Sequence, residues 1–164
     1  PLFVQQIKAG KPLTVTDPRM TRFMMSIDDA VDLVLYSFQH GAPGDIFVQK
    51  APGATIDTLA LALKRVFSAD NPIQVIGTRP GEKAYETLVN REEMVRAEDL
   101  GRYYRIPADS RDLDYDRYFT GGQPCITEAK EYNSSNTTQL SVDELVETLL
   151  RLHYIRTELE GWTA

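Results

Sequence analysis

Two arginines hold the residues of this chain best placed for chemistry. Arg22 interrupts an apolar run in "MTRFMMSIDDAVDLVL", and Arg79 lies in "GTRPGEK", directly after the apolar "IQVI". A guanidinium is permanently charged and planar, and its N–H fork matches the oxygens of a phosphate or carboxylate. Each arginine sits where an apolar strand gives way to the start of a helix, and helix N-terminal amides also favour anions. In an α/β lobe such junctions gather along one edge, where ligands bind. Two forks on one edge suit a diphosphate. Lys83 and Glu82 share the second motif and can point into the same cleft, while Gly77 and Gly81 permit the tight turns it needs. A plainer reading of Arg22 is an edge arginine whose alkyl stem covers apolar neighbours. The plainer reading of "GTRPGEK" is a turn with solvated charges.

A third polar motif is "EYNSSNT". Asn133, Ser134, Ser135, Asn136 and Thr137 can donate to a ligand or to a neighbouring chain. Taken from the residues alone, a polar loop leading to a helix cap at Ser141 is the preferred reading. Other chemistries lack their residues. No glycine-rich phosphate loop of either common type is present. His40 and His153 lie far apart and read as surface histidines, so neither a metal cluster nor a Ser-His-Asp arrangement is assembled from them. Asp28 and Asp29 read as helix-start residues rather than an acid–base dyad. Tyr103 and Tyr104 have no lysine at the Tyr-x-x-x-Lys spacing. No catalytic residue and no metal ligand is assigned.

The elements that must position these residues alternate between short strands and amphipathic helices, which makes the fold class α/β. "LFVQQIK" reads as a helix with Leu2, Phe3 and Ile7 on its apolar face, ended by Gly10. "PLTVT" and "TRFMMS" read as strands joined by the turn "DPRM". Ser26 caps a helix whose first turn holds Asp28 and Asp29, where the macrodipole favours anions. Along it Ala30, Val31, Val34, Leu35 and Phe38 recur at helical spacing. "DIFVQKA" is a strand, and "TIDTLALALKRVFS" a capped helix with Ile56, Leu59, Leu63, Val66 and Phe67 on its buried side. "IQVIGT" is a strand, "KAYETLVNREEMVRA" a helix and "GRYYRIP" a further strand. From Ala108 to about Thr138 the chain is irregular and longer than ordinary structureless loops. "LSVDELVETLLRLHY" closes as a helix with a Ser141/Glu144 capping box and an apolar face of Val142, Leu145, Val146, Leu149 and Leu152. The expected division is an α/β lobe over 1–108 and an irregular segment plus helix over 109–164.

The chain has 164 residues and a formal charge of -6. That balance argues against a nucleic-acid surface, which wants a basic stripe. Arginine nonetheless outnumbers lysine, 12 to 6, so the acidic balance leaves room for a local anion site. Cys125 is the only cysteine, which excludes an internal disulfide and fits a reducing cytoplasm. No run approaches the ~20 apolar residues of a membrane span. The opening "PLFVQQIKAGKP" reads as the middle of a longer protein. A lobe cut from its partner exposes an apolar face, and self-association is expected of it.

In order along the chain, "DPRMTRFMMSIDDAVDLVL", "GDIFVQKAP", "IGTRPGEKAYETL", "NREEM", "AEDLGRYYRIPAD", "RDLDYDRYF" and "EYNSSNT" resemble the C-terminal part of bacterial capsular-polysaccharide enzymes of the CapE/FlaA type. These are extended short-chain dehydrogenase/reductase proteins that act on UDP-N-acetylglucosamine as inverting 4,6-dehydratases (5-epimerases). The resemblance covers essentially the whole chain. It implies that NADP and the catalytic groups belong to an N-terminal Rossmann domain outside this chain. It also implies that this part binds the UDP-sugar and that subunits form homo-oligomers. Arg22 and Arg79 fall where such enzymes place the arginines of the nucleotide diphosphate, with Glu82 in the same motif. Pro80 and Ser135 stand where histidine is common in the group, and Asn133, Ser135 and Asn136 are the positions for substrate or subunit contact. Two further readings are an oligomer-docking module and part of a UDP-hexose 4-epimerase.

Overall fold

The computed structural model describes residues 1–108 and 128–162. In chain order the elements are α1 (Leu2–Lys8), β1 (Leu13–Val15), β2 (Thr21–Phe23), α2 (Ile27–His40), β3 (Ile46–Gln49), β4 (Gly53–Thr55), α3 (Ile56–Val66), β5 (Ile73–Val75), β6 (Thr87–Val89), α4 (Arg91–Arg96), β7 (Glu98–Asp99), β8 (Tyr103–Ile106), β9 (Tyr132–Asn133), α5 (Val142–Arg151) and α6 (His153–Glu160). The fold is α/β with short strands. They pair as β1–β5 (parallel), β2–β4 (antiparallel), β3–β8–β7 and β6–β9. Two compact units interleave along the chain. The first comprises Pro1–Met24, Pro52–Glu86 and Ser134–Ala164, and the second Met25–Ala51 and Thr87–Asn133.

The first unit holds the larger apolar core. Val4 and Ile7 of α1, Leu13 of β1, Ala60, Ala62 and Leu63 of α3, Phe67, and Leu145 and Leu149 of α5 are all buried in one cluster. The small residues Ala60 and Ala62 sit among the larger side chains of this close-packed interior. Thr55 caps α3 by accepting from the Thr58 amide, and Ser141 caps α5 with Glu144 closing the box. Trp162, just after α6, donates its indole N–H to the Phe67 carbonyl at 2.9 Å and packs edge-on against that ring.

The second unit is built on aromatic contacts. Tyr36 of α2 stacks on Tyr103 at 4.3 Å, and Tyr104 meets Tyr132 edge-on at 5.3 Å. Arg105 of β8 bridges Asp45 and Glu98. Ser26 and Asp29 form a complete capping box on α2. Yet no residue of α2 is fully buried. Ile27, Val31, Val34, Leu35 and Phe38, one continuous helical stripe, are at least half exposed, Phe38 to 84%.

The structure corrects several expectations. Leu2 is exposed and Val4 takes its place in the core. The helix expected over "KAYETLVNREEMVRA" begins only at Arg91, because Thr87–Val89 pairs with Tyr132–Asn133 as a strand and Asn90 caps the shortened helix. "EYNSSNT" is no plain polar loop: Tyr132, Asn133 and Ser134 are buried. The final helix breaks at Leu152 and resumes as α6. Of the irregular stretch from Ala108 to Thr138, residues 109–127, with Cys125 and the "RDLDYDRYF" motif, lie outside the described residues.

Candidate functional site

Arg22 is the central residue of β2, opposite Ala54 of β4. Side chains alternate across a strand, so the buried Thr21 points inward while Arg22 reaches the other face. Its side chain is only 27% exposed, and the guanidinium is held at three points. Nη1 donates to the Thr21 carbonyl at 2.7 Å, Nη2 donates to the Lys83 carbonyl at 3.0 Å, and Nε faces the Glu86 carboxylate at 3.8 Å. A guanidinium has five N–H donors. Two backbone carbonyls therefore leave one N–H on each terminal nitrogen, and Glu86 offsets part of the charge. The result is a fork whose orientation is fixed before any ligand arrives.

The loop after β5 carries the other expected residues. Gly77 and Gly81 both adopt positive φ, 85° and 82°, which glycine reaches without strain. Glu82 braces this loop. One oxygen accepts from the Arg79 amide at 3.1 Å and the other from the Thr16 hydroxyl at 3.0 Å. The acid thus ties the turn to the end of β1 and sets the backbone from which Arg79 projects. Arg79 and Lys83 are exposed, and among the described residues their charged groups make no hydrogen bond or ion pair. Arg22 touches this same loop through the Lys83 carbonyl, so Arg22, Arg79, Glu82 and Lys83 lie on adjoining segments of the first unit.

The positions in "EYNSSNT" separate. Asn133 is buried in the second unit, where it pairs with Thr87 and donates to Glu131 at 2.9 Å. Ser135 and Asn136 are exposed in the first unit, immediately after the wholly buried Ser134. Sequence reasoning passed over Thr21 and Glu86, and took Ser134 only as one of five possible donors in a polar motif. Ser134 Oγ lies 2.8 Å from Thr21 Oγ1 although 113 residues separate them, and no local pattern announces such a pair. Gly53 permits the close approach of β4 to this segment, since a Cβ there would lie 2.5 Å from the Ser134 carbonyl oxygen. Among the described residues no three His, Cys, Asp or Glu side chains are grouped to hold a metal ion, and no helix is long and apolar enough to cross a membrane.

Arg22, from the middle of β2, and Arg79, from the loop after β5, present two cationic groups on adjoining segments of the first unit, an arrangement that can bind an anion. Residues 1–108 match the family described as polysaccharide biosynthesis protein, and residues 109–156 match polysaccharide biosynthesis protein C-terminal. The chain is 55% identical over 161 residues to a UDP-glucose 4-epimerase of Rickettsia felis and 56% identical to one of Rickettsia typhi. Each alignment covers 98% of this chain and 47% of the relative. The X-ray structure of Pen from Bacillus thuringiensis superposes with a TM-score of 0.73 at 30% identity, over 92% of this chain and 43% of that one. The chain spans about half the length of the curated relatives it matches. Matched over 108 of its 164 residues by one such description and over the next 48 by its C-terminal counterpart, this chain belongs to the polysaccharide biosynthesis protein family.

Proposed function

We propose that this chain is the UDP-sugar-binding part of a nucleotide-sugar-modifying enzyme of bacterial surface-polysaccharide biosynthesis, with Arg22 and Arg79 gripping the diphosphate. The observation that carries the reading is the fixed Arg22 fork, hydrogen-bonded to the very loop that presents Arg79. A pre-oriented guanidinium loses little side-chain freedom on binding, so more of each charge-assisted hydrogen bond appears as affinity. Lys83 adds charge beside the pair, and Glu82 serves by holding the loop. NADP and the groups that act on the sugar are assigned to a Rossmann domain elsewhere in the parent, and the bare stripe of α2 is the kind of surface that such packing, or assembly into an oligomer, would cover. Calorimetric titration of the full-length parent with its UDP-sugar tests the clamp. Arg22→Ala and Arg79→Ala should each weaken binding by about 1.5 kcal/mol or more. Unchanged affinity in both variants would remove the assignment.

For the reaction, the resemblance of the ordered motifs favours a 4,6-dehydratase/5-epimerase acting on UDP-N-acetylglucosamine. A second reading, UDP-hexose 4-epimerase, is favoured by the names of the Rickettsia relatives. Product analysis separates them: a 4-keto-6-deoxy sugar marks the dehydratase and a C4 epimer marks the epimerase.

A further inference from the structure

Arg22 owes its orientation to groups that are themselves held by one distant hydroxyl. Ser134 is wholly buried. Its Oγ donates to the Thr21 carbonyl at 3.0 Å, the same carbonyl that receives Arg22 Nη1. It accepts from the Glu86 amide at 3.0 Å, and Glu86 is the acid that faces Arg22 Nε. It also lies 2.8 Å from Thr21 Oγ1. A serine hydroxyl has one proton to give and two lone pairs. With the proton on the Thr21 carbonyl, the Thr21 hydroxyl must be the donor of the third contact, and all the capacity of Ser134 Oγ is used. Its main chain adds a fourth tie, the Ser134 amide donating to the Glu86 carbonyl at 2.8 Å.

We infer that Ser134 is a positioning residue for the Arg22 fork. Two of the three points that hold the guanidinium, the Thr21 carbonyl and Glu86, are fastened by this single side chain; only the Lys83 carbonyl is independent of it. The inference rests on the reading of Arg22 as a diphosphate ligand. Removing the hydroxyl leaves the Glu86 amide and the Thr21 hydroxyl without a partner in a dry site, which is costly. Both groups shift to recover hydrogen bonds, and the fork loses its fixed aim. No chemistry is lost, because Ser134 touches no reacting atom.

The test is a double-mutant cycle in the full-length parent, read by calorimetric titration with UDP and by steady-state kinetics. Arg22→Ala should raise the Kd for UDP by about tenfold or more, and Ser134→Ala by about fivefold. Adding Ser134→Ala to Arg22→Ala should change Kd by less than twofold, and in the single Ser134→Ala variant KM for the UDP-sugar should rise while kcat holds. If Arg22→Ala weakens UDP binding but Ser134→Ala does not, or if the two effects add fully, Ser134 serves the fold alone and the inference is overturned. If Arg22→Ala leaves Kd unchanged, the diphosphate reading falls first and takes the inference with it. Ser134→Cys keeps the side-chain shape with a slightly larger atom in the buried site while weakening each hydrogen bond. Should the alanine variant not accumulate, it carries the same cycle, and an unchanged Kd there overturns the inference equally.

Discussion

Helices α2 and α5 read alike in sequence and end differently. Each opens on a serine that forms a complete capping box, with Asp29 in one and Glu144 in the other. Each carries an apolar stripe at helical spacing. The α5 stripe is covered: Leu145 is 1% exposed and packs with Leu63 and Phe67 in the core of the first unit. The α2 stripe is bare, with Ile27 82% and Phe38 84% exposed, while the opposite side sends Tyr36 onto Tyr103. An amphipathic pattern therefore states that a face is meant to be covered without stating that the same chain covers it.

The largest effect that breaks or sharpens this contrast is truncation of the two stripes. Leu145→Ala should lower stability by about 3 kcal/mol, the usual cost of a cavity at a buried leucine. Phe38→Ala removes more atoms yet should cost less than about 0.5 kcal/mol in this chain. Urea unfolding of the 164-residue chain measures both, and equal losses would mean that the α2 face is already covered. Next comes association. The chain should self-associate at high concentration, and replacing Val34 and Phe38 together with serine should return it to monomer in sedimentation velocity. A wild-type chain that stays monomeric would show that the bare stripe needs no partner.

Smaller effects belong to the caps, where the two helices should behave alike because capping is local. Ser26→Ala and Ser141→Ala should each cost about 1 kcal/mol, whatever happens to the stripes. The smallest is the acid limb. Hydrogen bonds from the Ser26 side chain and amide hold the Asp29 carboxyl below its usual range, and those from the Ser141 amide and side chain do the same for Glu144. A depressed folded pKa means that the unfolded chain binds more protons. This contribution is therefore present above the unfolded values, about 3.9 for Asp and 4.3 for Glu, and is lost as pH falls through the lower folded values. Asp29→Asn or Glu144→Gln should flatten the fall of melting temperature below about pH 4; an unaltered slope would place the acid sensitivity elsewhere.

Much of this fold could be read from local spacing. Thr55, Ser26 and Ser141 announce their helices because a cap acts within one turn, and Arg22 and Arg79 stand out as cations beside apolar strands. The strand β6 was illegible, since "ETLV" suits a helix and becomes a strand only by pairing with Tyr132 and Asn133. Ser134 was illegible for the same reason, looking like one more polar residue in a polar run.

By itself, then, the sequence determined the α/β class, the capped helices and the two arginines, because periodicity, caps and charge are properties of residues a few positions apart. Only the tertiary structure decided that the Arg22 fork is aimed by Thr21, Lys83 and Glu86, that Ser134 fastens two of these from 113 and 48 residues away, and that one amphipathic stripe is buried while its twin is bare. Most of those ties end on a backbone carbonyl or amide, which every residue supplies, so their partners are settled by packing and not by side-chain pattern.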